Sequence, residues 1–391
     1  MNLDTRITRR QRDTAGLVLD CEVISPVAHV AEPVGRGPVF ETLLDYLDPV
    51  LDERLPPNAY IWGPAGAGKS AVVTALLSHL QPRRSQLGTI IHTATRTESH
   101  GNRAQSFVYV DARDAMTEFG LYHAILDGLV EDPIPTQGFK TETLRDNIRS
   151  ALASPNRRAL VVVDHVGEPR TYSLSTLTAM LDRLNDSLAW IAVGRTPPCE
   201  LDCTPPAKHI EIPAYDPRTL VDIVTNRTMS GIGSRAVTHQ QSRDIARWAD
   251  GNAHDALAAL FVAADRAIEH NRSTVTDADI AHATATIPHP CVSLAQVLLL
   301  PPTRQRVLRS LLDIPECDRS SVENTTTAIV ADDSVDLSAG TLKRYLYELA
   351  DDGIVERIRT DGSTSGRPPS RIEPRFPTQI FCQFYERKGT G

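Results

Sequence analysis

Lysine is scarce in this chain. Of 41 basic residues only five are Lys (Lys69, Lys140, Lys208, Lys343 and Lys388), so the positive charge is carried almost wholly by Arg, as a GC-rich or salt-adapted source would leave it. Cysteine is scarce too. The six (Cys21, Cys199, Cys203, Cys291, Cys317, Cys382) are scattered, and Cys199 with Cys203 makes one CxxxC with no second pair at metal-ligand spacing. That argues against a zinc site and leaves the thiols reduced. No apolar run approaches the length of a bilayer span. The start, MNLDTRITRRQRDTAG, has no apolar stretch of signal-peptide type, so a cytoplasmic protein with no membrane partner is expected. The net charge of −8 is mild. It neither demands nor forbids nucleic acid, because a local basic patch is what binds phosphates.

What is there begins with length: 391 residues suffice for two or three domains, each with its own core. The strongest local signal runs from Asn58 to Ser70, NAYIWGPAGAGKS. A short apolar run leads into Gly63-Pro64-Ala65-Gly66-Ala67-Gly68-Lys69-Ser70, and Ala71-Val72-Val73 continues in helical periodicity. Strand, glycine loop and helix in that order identify a P-loop rather than a chance match. Its glycines let successive N–H groups turn around phosphate oxygens at a helix N-terminus. The expected nucleotide contacts are Gly63, Gly66, Ala67, Gly68, Lys69, Ser70, Ala71 and Val72. Lys69 would reach the β/γ-phosphates and the Ser70 hydroxyl would hold Mg²⁺.

Residues 1 to about 26 read as a disordered arm. Phe40, Leu43, Leu44, Leu47 and Leu51 make one helix face before the P-loop strand. Further strands are expected at 89–92, 106–111, 159–164, 188–193 and 209–212, with helices between them. Apart from the short 89–92 piece, these and the P-loop strand make a parallel, doubly wound α/β sheet of about five strands, spanning residues 27–213. Four helical stretches follow over 214–290, the last opened by a Thr276 cap. In 291–391 three helical stretches precede a hairpin. Ser338 caps a helix bearing Leu342, Tyr345, Leu346 and Leu349, and Gly353 stops it. A strand at 354–359, a Gly/Ser/Pro-rich loop and a strand from Arg371 complete the order of a winged helix.

Asp164 ends the third strand of the sheet, where a P-loop protein places an Asp for Mg²⁺; a turn-capping Asp is the plainer alternative. The following position, where hydrolysing members carry a Glu, is His165, and Glu168 lies three residues on, aimed differently. Weak or absent hydrolysis is expected. In the winged helix Lys343 and Arg344 lie off the apolar face. The wing and its flanks carry Arg357, Arg359, Arg367, Arg371 and Arg375 against Asp361 and Glu373. Lys343, Arg344, Arg367 and Arg371 are the expected contacts to double-stranded DNA. A winged helix used for protein contacts stays open beside that reading.

In this order of parts the chain resembles the archaeal replication initiators of the origin-recognition-complex and cell-division-cycle loader type, in the AAA+ superfamily. The likeness runs from about Val34 to Phe384. It rests on Gly35-Arg36, the P-loop, Pro213-Ala214-Tyr215-Asp216 and Gly251-Asn252-Ala253-His254-Asp255-Ala256-Leu257. It implies a P-loop AAA+ domain with a five-stranded parallel sheet, a helical lid and a C-terminal winged helix. It also implies that Tyr215 and Arg227 line the nucleotide pocket from the lid side. ATP or ADP with Mg²⁺ would act as a conformational switch on origin-like duplex DNA, with other initiator-type AAA+ subunits or a replicative helicase as partners. The departures are His165 for the Walker B Glu, His254 for the sensor 2 Arg, and Gly194-Arg195-Thr196 in the sensor 1 region. A regulatory or defence-type P-loop protein is the alternative function.

Overall fold

A computed structural model of the chain describes residues 17, 20–52, 54–80, 105–130, 132–154, 157–184, 186–233, 235–289, 291–331, 335–359 and 370–389. Of these, the residues within His29–Ala214 form one compact unit, and those within Met1–Ala28 and Tyr215–Gly391 form a second. The expected strand at 89–92 and the wing loop, with Arg367, lie outside the described residues.

The elements in chain order begin with a short helix, α1 (Cys21–Ile24), followed by α2 (Gly37–Leu51). Strand β1 (Ala59–Trp62) then feeds α3 (Lys69–Leu80) through the glycine loop. After these come β2 (Gln105–Asp111), α4 (Glu118–Leu129), α5 (Thr141–Ala151), β3 (Arg158–Val166), α6 (Leu174–Leu181), β4 (Leu188–Gly194) and β5 (Lys208–Glu211). The five strands are parallel in the order β2–β3–β4–β1–β5. Sequence neighbours are therefore not all sheet neighbours, and β1 sits where the order reverses, the position at which open α/β sheets bind ligands.

Alternation along the strands divides the core into two layers. Val161, Val163, Trp190 and Ala192 face α4, α5 and α6, burying Leu121, Ile125, Leu144, Ile148 and Leu177. Ile61, Leu160, Val162 and Ile191 face α2 and α3, burying Leu43, Leu47, Val72 and Leu76. The near-continuous apolar run of β3 is thus explained: it is covered on both sides.

In the second unit, α7 (Pro217–Gly231), α8 (His239–Ala249), α9 (Ala253–Glu269) and α10 (Asp277–Thr286) form the helical segment. Asp216 caps α7, and Thr238 and Thr276 make capping boxes for α8 and α10. Part of the expected N-terminal arm is ordered against it. Cys21 and Ile24 are buried, Asp20 N–H donates to Gly231 O at 2.8 Å, and a side chain at Gly231 would strike Ile24. The chain continues through α11 (Leu294–Leu298), α12 (Pro302–Asp313), α13 (Val322–Val330) and α14 (Ala339–Asp351) to the antiparallel pair β6 (Val355–Arg359) and β7 (Ser370–Pro374). Helices α12, α13 and α14 with the hairpin give the element order of a winged helix. A last helix, α15 (Thr378–Gly389), follows where the sequence reading continues a strand. Its Ile380 and Phe381 are fully buried and Phe384 stacks 6.4 Å from Phe261 of α9.

Candidate functional site

β1 delivers the chain to Gly63, whose missing side chain is a packing requirement: a Cβ there would lie 2.0 Å from the carbonyl oxygen of Ile212. Ile212 N–H donates to Trp62 O at 2.8 Å, so the loop begins hard against the strand-β5 side. Gly66 (φ 68°) and Gly68 (φ 77°) take left-handed turns that L side chains resist. The ladder of α3 starts with Val72 N–H donating to Gly68 O at 2.9 Å. The amides of Lys69, Ser70 and Ala71 precede it and face the phosphate position, as first-turn amides do. Ala67 and Val72 are fully buried, so they bring backbone to the site and no accessible side chain. Lys69 Nζ donates to Gly63 O and Pro64 O, both at 2.8 Å. Burial, with Arg195 and Arg36 adding repulsion against Asp164 and Glu168, lowers its ammonium to about 8.

Arg36, which enters the sequence reading only through the Gly35-Arg36 resemblance, is a strut of the loop. It is 4% exposed and donates to Ala67 O at 2.6 Å and Pro213 O at 2.8 Å.

Asp164 sits 1% exposed at the end of β3, paired in register with Asp111 of β2. Its Oδ1 accepts the His165 N–H at 2.7 Å and its Oδ2 accepts the Tyr109 hydroxyl at 3.0 Å. β3 loses register with β4 between Val163 and Val166, and within that break His165 takes a left-handed backbone (φ 63°). The ring lands with Nε2 3.5 Å from Ser70 Oγ and 3.7 Å from Asp164 Oδ2, and Nδ1 3.1 Å from Glu168 Oε1. Glu168 also pairs with Arg195 at 2.8 Å. Burial opposes its ionisation, but the His165 hydrogen bond and Arg195 outweigh burial and hold the carboxyl at about 2. Ser70, Asp164 and His165 therefore bring a hydroxyl, a carboxylate and an imidazole nitrogen to one place, a donor set that suits a divalent cation.

Sequence reasoning set Glu168 apart as aimed elsewhere, and it is; it acts on the site through His165. Tyr109 and the Asp111–Arg113 pair (2.7 Å) went unnoticed, although Tyr109 and Asp111 alternate on a strand whose neighbour ends in Asp164. Of the two residues expected on the lid side, Tyr215 is 7% exposed and Arg227 spends its guanidinium on the carbonyls of Val23 and Ala28 at the N-terminal segment. His254 also has a structural employment. Its Nε2 accepts the Leu294 N–H at 3.0 Å, so Nδ1 carries the proton and faces Asp255 Oδ1 at 3.2 Å. Cys291 and His289 converge on the same buried carboxylate at 2.8 and 3.1 Å.

On α14, Leu342, Leu346 and Leu349 are fully buried, which leaves Lys343 and Arg344 on the outer side. Arg344 lies 3.7 Å from Glu348 and 5.5 Å from the Tyr345 ring centre. Arg357 of β6 stacks 4.6 Å over Tyr347, and Arg371 of β7 pairs with Glu373 at 3.0 Å. β6, β7 and α14 thus carry a mixed cationic and aromatic surface.

Residues 32–191 match the family described as the AAA ATPase domain. The chain is similar to the ORC1-type DNA replication protein of Methanoregula boonei, 23% identical over 301 residues, which covers 72% of this chain and 67% of the relative. It is also similar to that of Pyrococcus furiosus, 23% identical over 260 residues, 62% of this chain and 58% of the relative. That second match spans less than two thirds of the relative. Among solved structures, the Orc1 protein of Aeropyrum pernix in complex with DNA superposes with a TM-score of 0.63 at 19% identity, covering 95% of this chain and 97% of that one. Cdc6p from Pyrobaculum aerophilum gives 0.54 at 16%, covering 95% and 99%. The AAA+ fold and the resemblance to archaeal origin-recognition initiators stand on these likenesses. Among the described residues no helix is long and apolar enough to cross a membrane.

Proposed function

We propose that this chain, an AAA+ protein similar to archaeal initiators, is an ATP-binding, DNA-binding switch that hydrolyses nucleotide slowly. The observation that carries the reading is the built loop: Gly66 and Gly68 in left-handed turns, the first-turn amides of α3 ahead of the Val72 to Gly68 bond, and Lys69 and Ser70 beside them. Lys69 leaves the carbonyls of Gly63 and Pro64 to meet the β/γ-phosphates, whose charge stabilises its ammonium. A bound Mg²⁺ neutralises phosphate charge; Ser70 and Asp164 are the residues that would hold it, with Tyr109 fixing the Asp164 carboxylate. Tyr215 and Arg227 are proposed nucleotide contacts, Arg227 after release from Val23 and Ala28. Slow turnover follows from His165 standing where a carboxylate would polarise water, with its Nδ1 committed to Glu168.

Lys343, Arg344, Arg367 and Arg371 grip duplex phosphate. The DNA in the Aeropyrum pernix Orc1 structure supports this for a protein of the same fold. Lys69→Ala abolishes ATP binding in calorimetry; unchanged affinity overturns the nucleotide reading. Arg344→Ala with Arg371→Ala weakens duplex binding and lowers the salt slope by about two. No duplex affinity in the wild type at its native salt rejects the DNA role. One observation favours a second reading, a regulatory P-loop protein whose winged helix binds protein: Arg344, Arg371 and Arg375 already face Glu348, Glu373 and Glu356. Duplex pull-down separates the two.

A further inference from the structure

His165 stands where the family pattern has a carboxylate, and its ring is built as a ligand. A histidine offers a lone pair only from a nitrogen without a proton, and its other nitrogen decides which that is. Here Nδ1 lies 3.1 Å from Glu168 Oε1. The side chain of Glu168 is 6% exposed and tied at 2.8 Å to Arg195. An ionised carboxylate only accepts, so Nδ1 carries the hydrogen, and in the neutral ring that leaves the lone pair on Nε2. Nε2 faces Ser70 Oγ at 3.5 Å and Asp164 Oδ2 at 3.7 Å, the two groups that hold the cation in the nucleotide reading above.

Two neighbouring ligands on an octahedral ion with bonds of about 2.1 Å lie about 3 Å apart. The observed separations of 3.5 and 3.7 Å are wider by about 0.5 and 0.7 Å, which small side-chain rotations close. Carboxylate, histidine and metal in line is the usual arrangement by which an outer partner fixes a ligating imidazole. Asp164 has its own outer partner in Tyr109. The left-handed backbone at His165 is a conformation that a non-glycine residue keeps only where its surroundings hold it, and such residues concentrate at functional sites.

We infer that His165 Nε2 is a direct ligand of the divalent cation bound with nucleotide, and that it shifts the site's preference from Mg²⁺ toward Mn²⁺. Mg²⁺ favours an all-oxygen shell and keeps its waters, whereas softer transition ions accept imidazole nitrogen. The inference rests on the nucleotide reading of the P-loop and adds a third protein group to Ser70 and Asp164. Arg195 and Glu168 are positioning residues: they reach the cation only through His165.

The test uses the full chain with ADP and either Mg²⁺ or Mn²⁺. Calorimetry of the wild type gives ADP affinity higher in Mn²⁺ than in Mg²⁺ by about tenfold or more beyond the ratio in His165→Ala, the scale on which outer-shell and ligand changes alter metal affinity. Electron spin-echo modulation of the Mn²⁺–ADP complex shows nitrogen coupling from a bound imidazole, lost in His165→Ala and kept in His209→Ala. Glu168→Gln retains ADP binding but narrows the Mn²⁺ preference. Bound Mn²⁺–ADP without that coupling, or with coupling that survives His165→Ala, overturns the inference while the nucleotide reading stands. Failure to bind ADP with either ion, at an affinity equal to that of Lys69→Ala, overturns both.

Discussion

Lys69 is the buried cation of the loop, and its lowered pKa makes a pH prediction. Its ammonium is brought from 10.5 to about 8, chiefly by burial. A shift of about 2.5 units corresponds to about 3 kcal/mol of differential interaction. The sign follows from proton counting. Below pH 8 the folded and unfolded chains both hold the proton, and the folded chain bears the desolvated charge. Between about 8 and 10.5 the folded chain has lost it while the unfolded chain keeps it, so stability rises with pH there. Lys69→Met removes the charge at similar volume and removes this dependence. From pH 7 to 9.5 the wild type therefore gains stability relative to Lys69→Met by about 2 kcal/mol from linkage alone, and by about 1 kcal/mol once partial exposure and solvent screening are allowed for. Denaturant unfolding in a Trp248→Phe background checks it, because Trp62 and Trp190 both lie in the His29–Ala214 unit and report it alone. A stability difference that stays flat across that pH range refutes the reasoning. Saturating nucleotide gives the phosphates as counter-charges and flattens the wild-type curve as well.

Gly63→Ala places a methyl 2.0 Å from a backbone oxygen. Neither strand can yield without breaking the Ile212 to Trp62 bond, so a loss of about 3 kcal/mol or more is expected in urea unfolding of that unit. Gly340→Ala is the opposite case, with nothing within 4 Å and a helical position in α14. It stabilises by about 0.5–1 kcal/mol, read as a higher midpoint. Arg36→Ala removes two donors from Ala67 O and Pro213 O and loosens the loop. Weaker nucleotide binding by about 2 kcal/mol, seen in calorimetry, is expected from two charge-assisted bonds to a buried site. Leu346→Ala empties a fully buried position on α14. It costs about 2–5 kcal/mol in the second unit, and nucleotide affinity, measured alongside, stays unchanged.

The five strands were legible because buried parallel strands declare themselves as continuous β-branched runs, β3 most plainly. The caps at Ser338 and Thr276 and the stop at Gly353 (φ 72°) were legible because they are chemistry between residues a few positions apart. Helix α15 was missed. Its Ile380, Phe381 and Phe384 make a helical stripe, but the preceding Arg371–Pro374 strand set the expectation of extended chain. Helix α1 was missed because four residues carry no period. An Asp20 cap and burial of Cys21 and Ile24 hold it as a helix.

The P-loop is different in kind. Glycine freedom, a lysine and a hydroxyl at fixed offsets act within one turn of chain, so the sequence by itself determined the loop and the presence of Asp164 at a strand end. It also determined that His165 replaces a carboxylate, though not what the imidazole does. Glu168 reaches it from the turn after β3, and Arg195, 27 residues further on at the end of β4, holds Glu168. Strand order places them side by side, and the broken register of β3 turns the ring toward Ser70. Which nitrogen is free, and therefore what the site can bind, was decided only by tertiary structure, because a tautomer is set by whichever group the fold puts beside it.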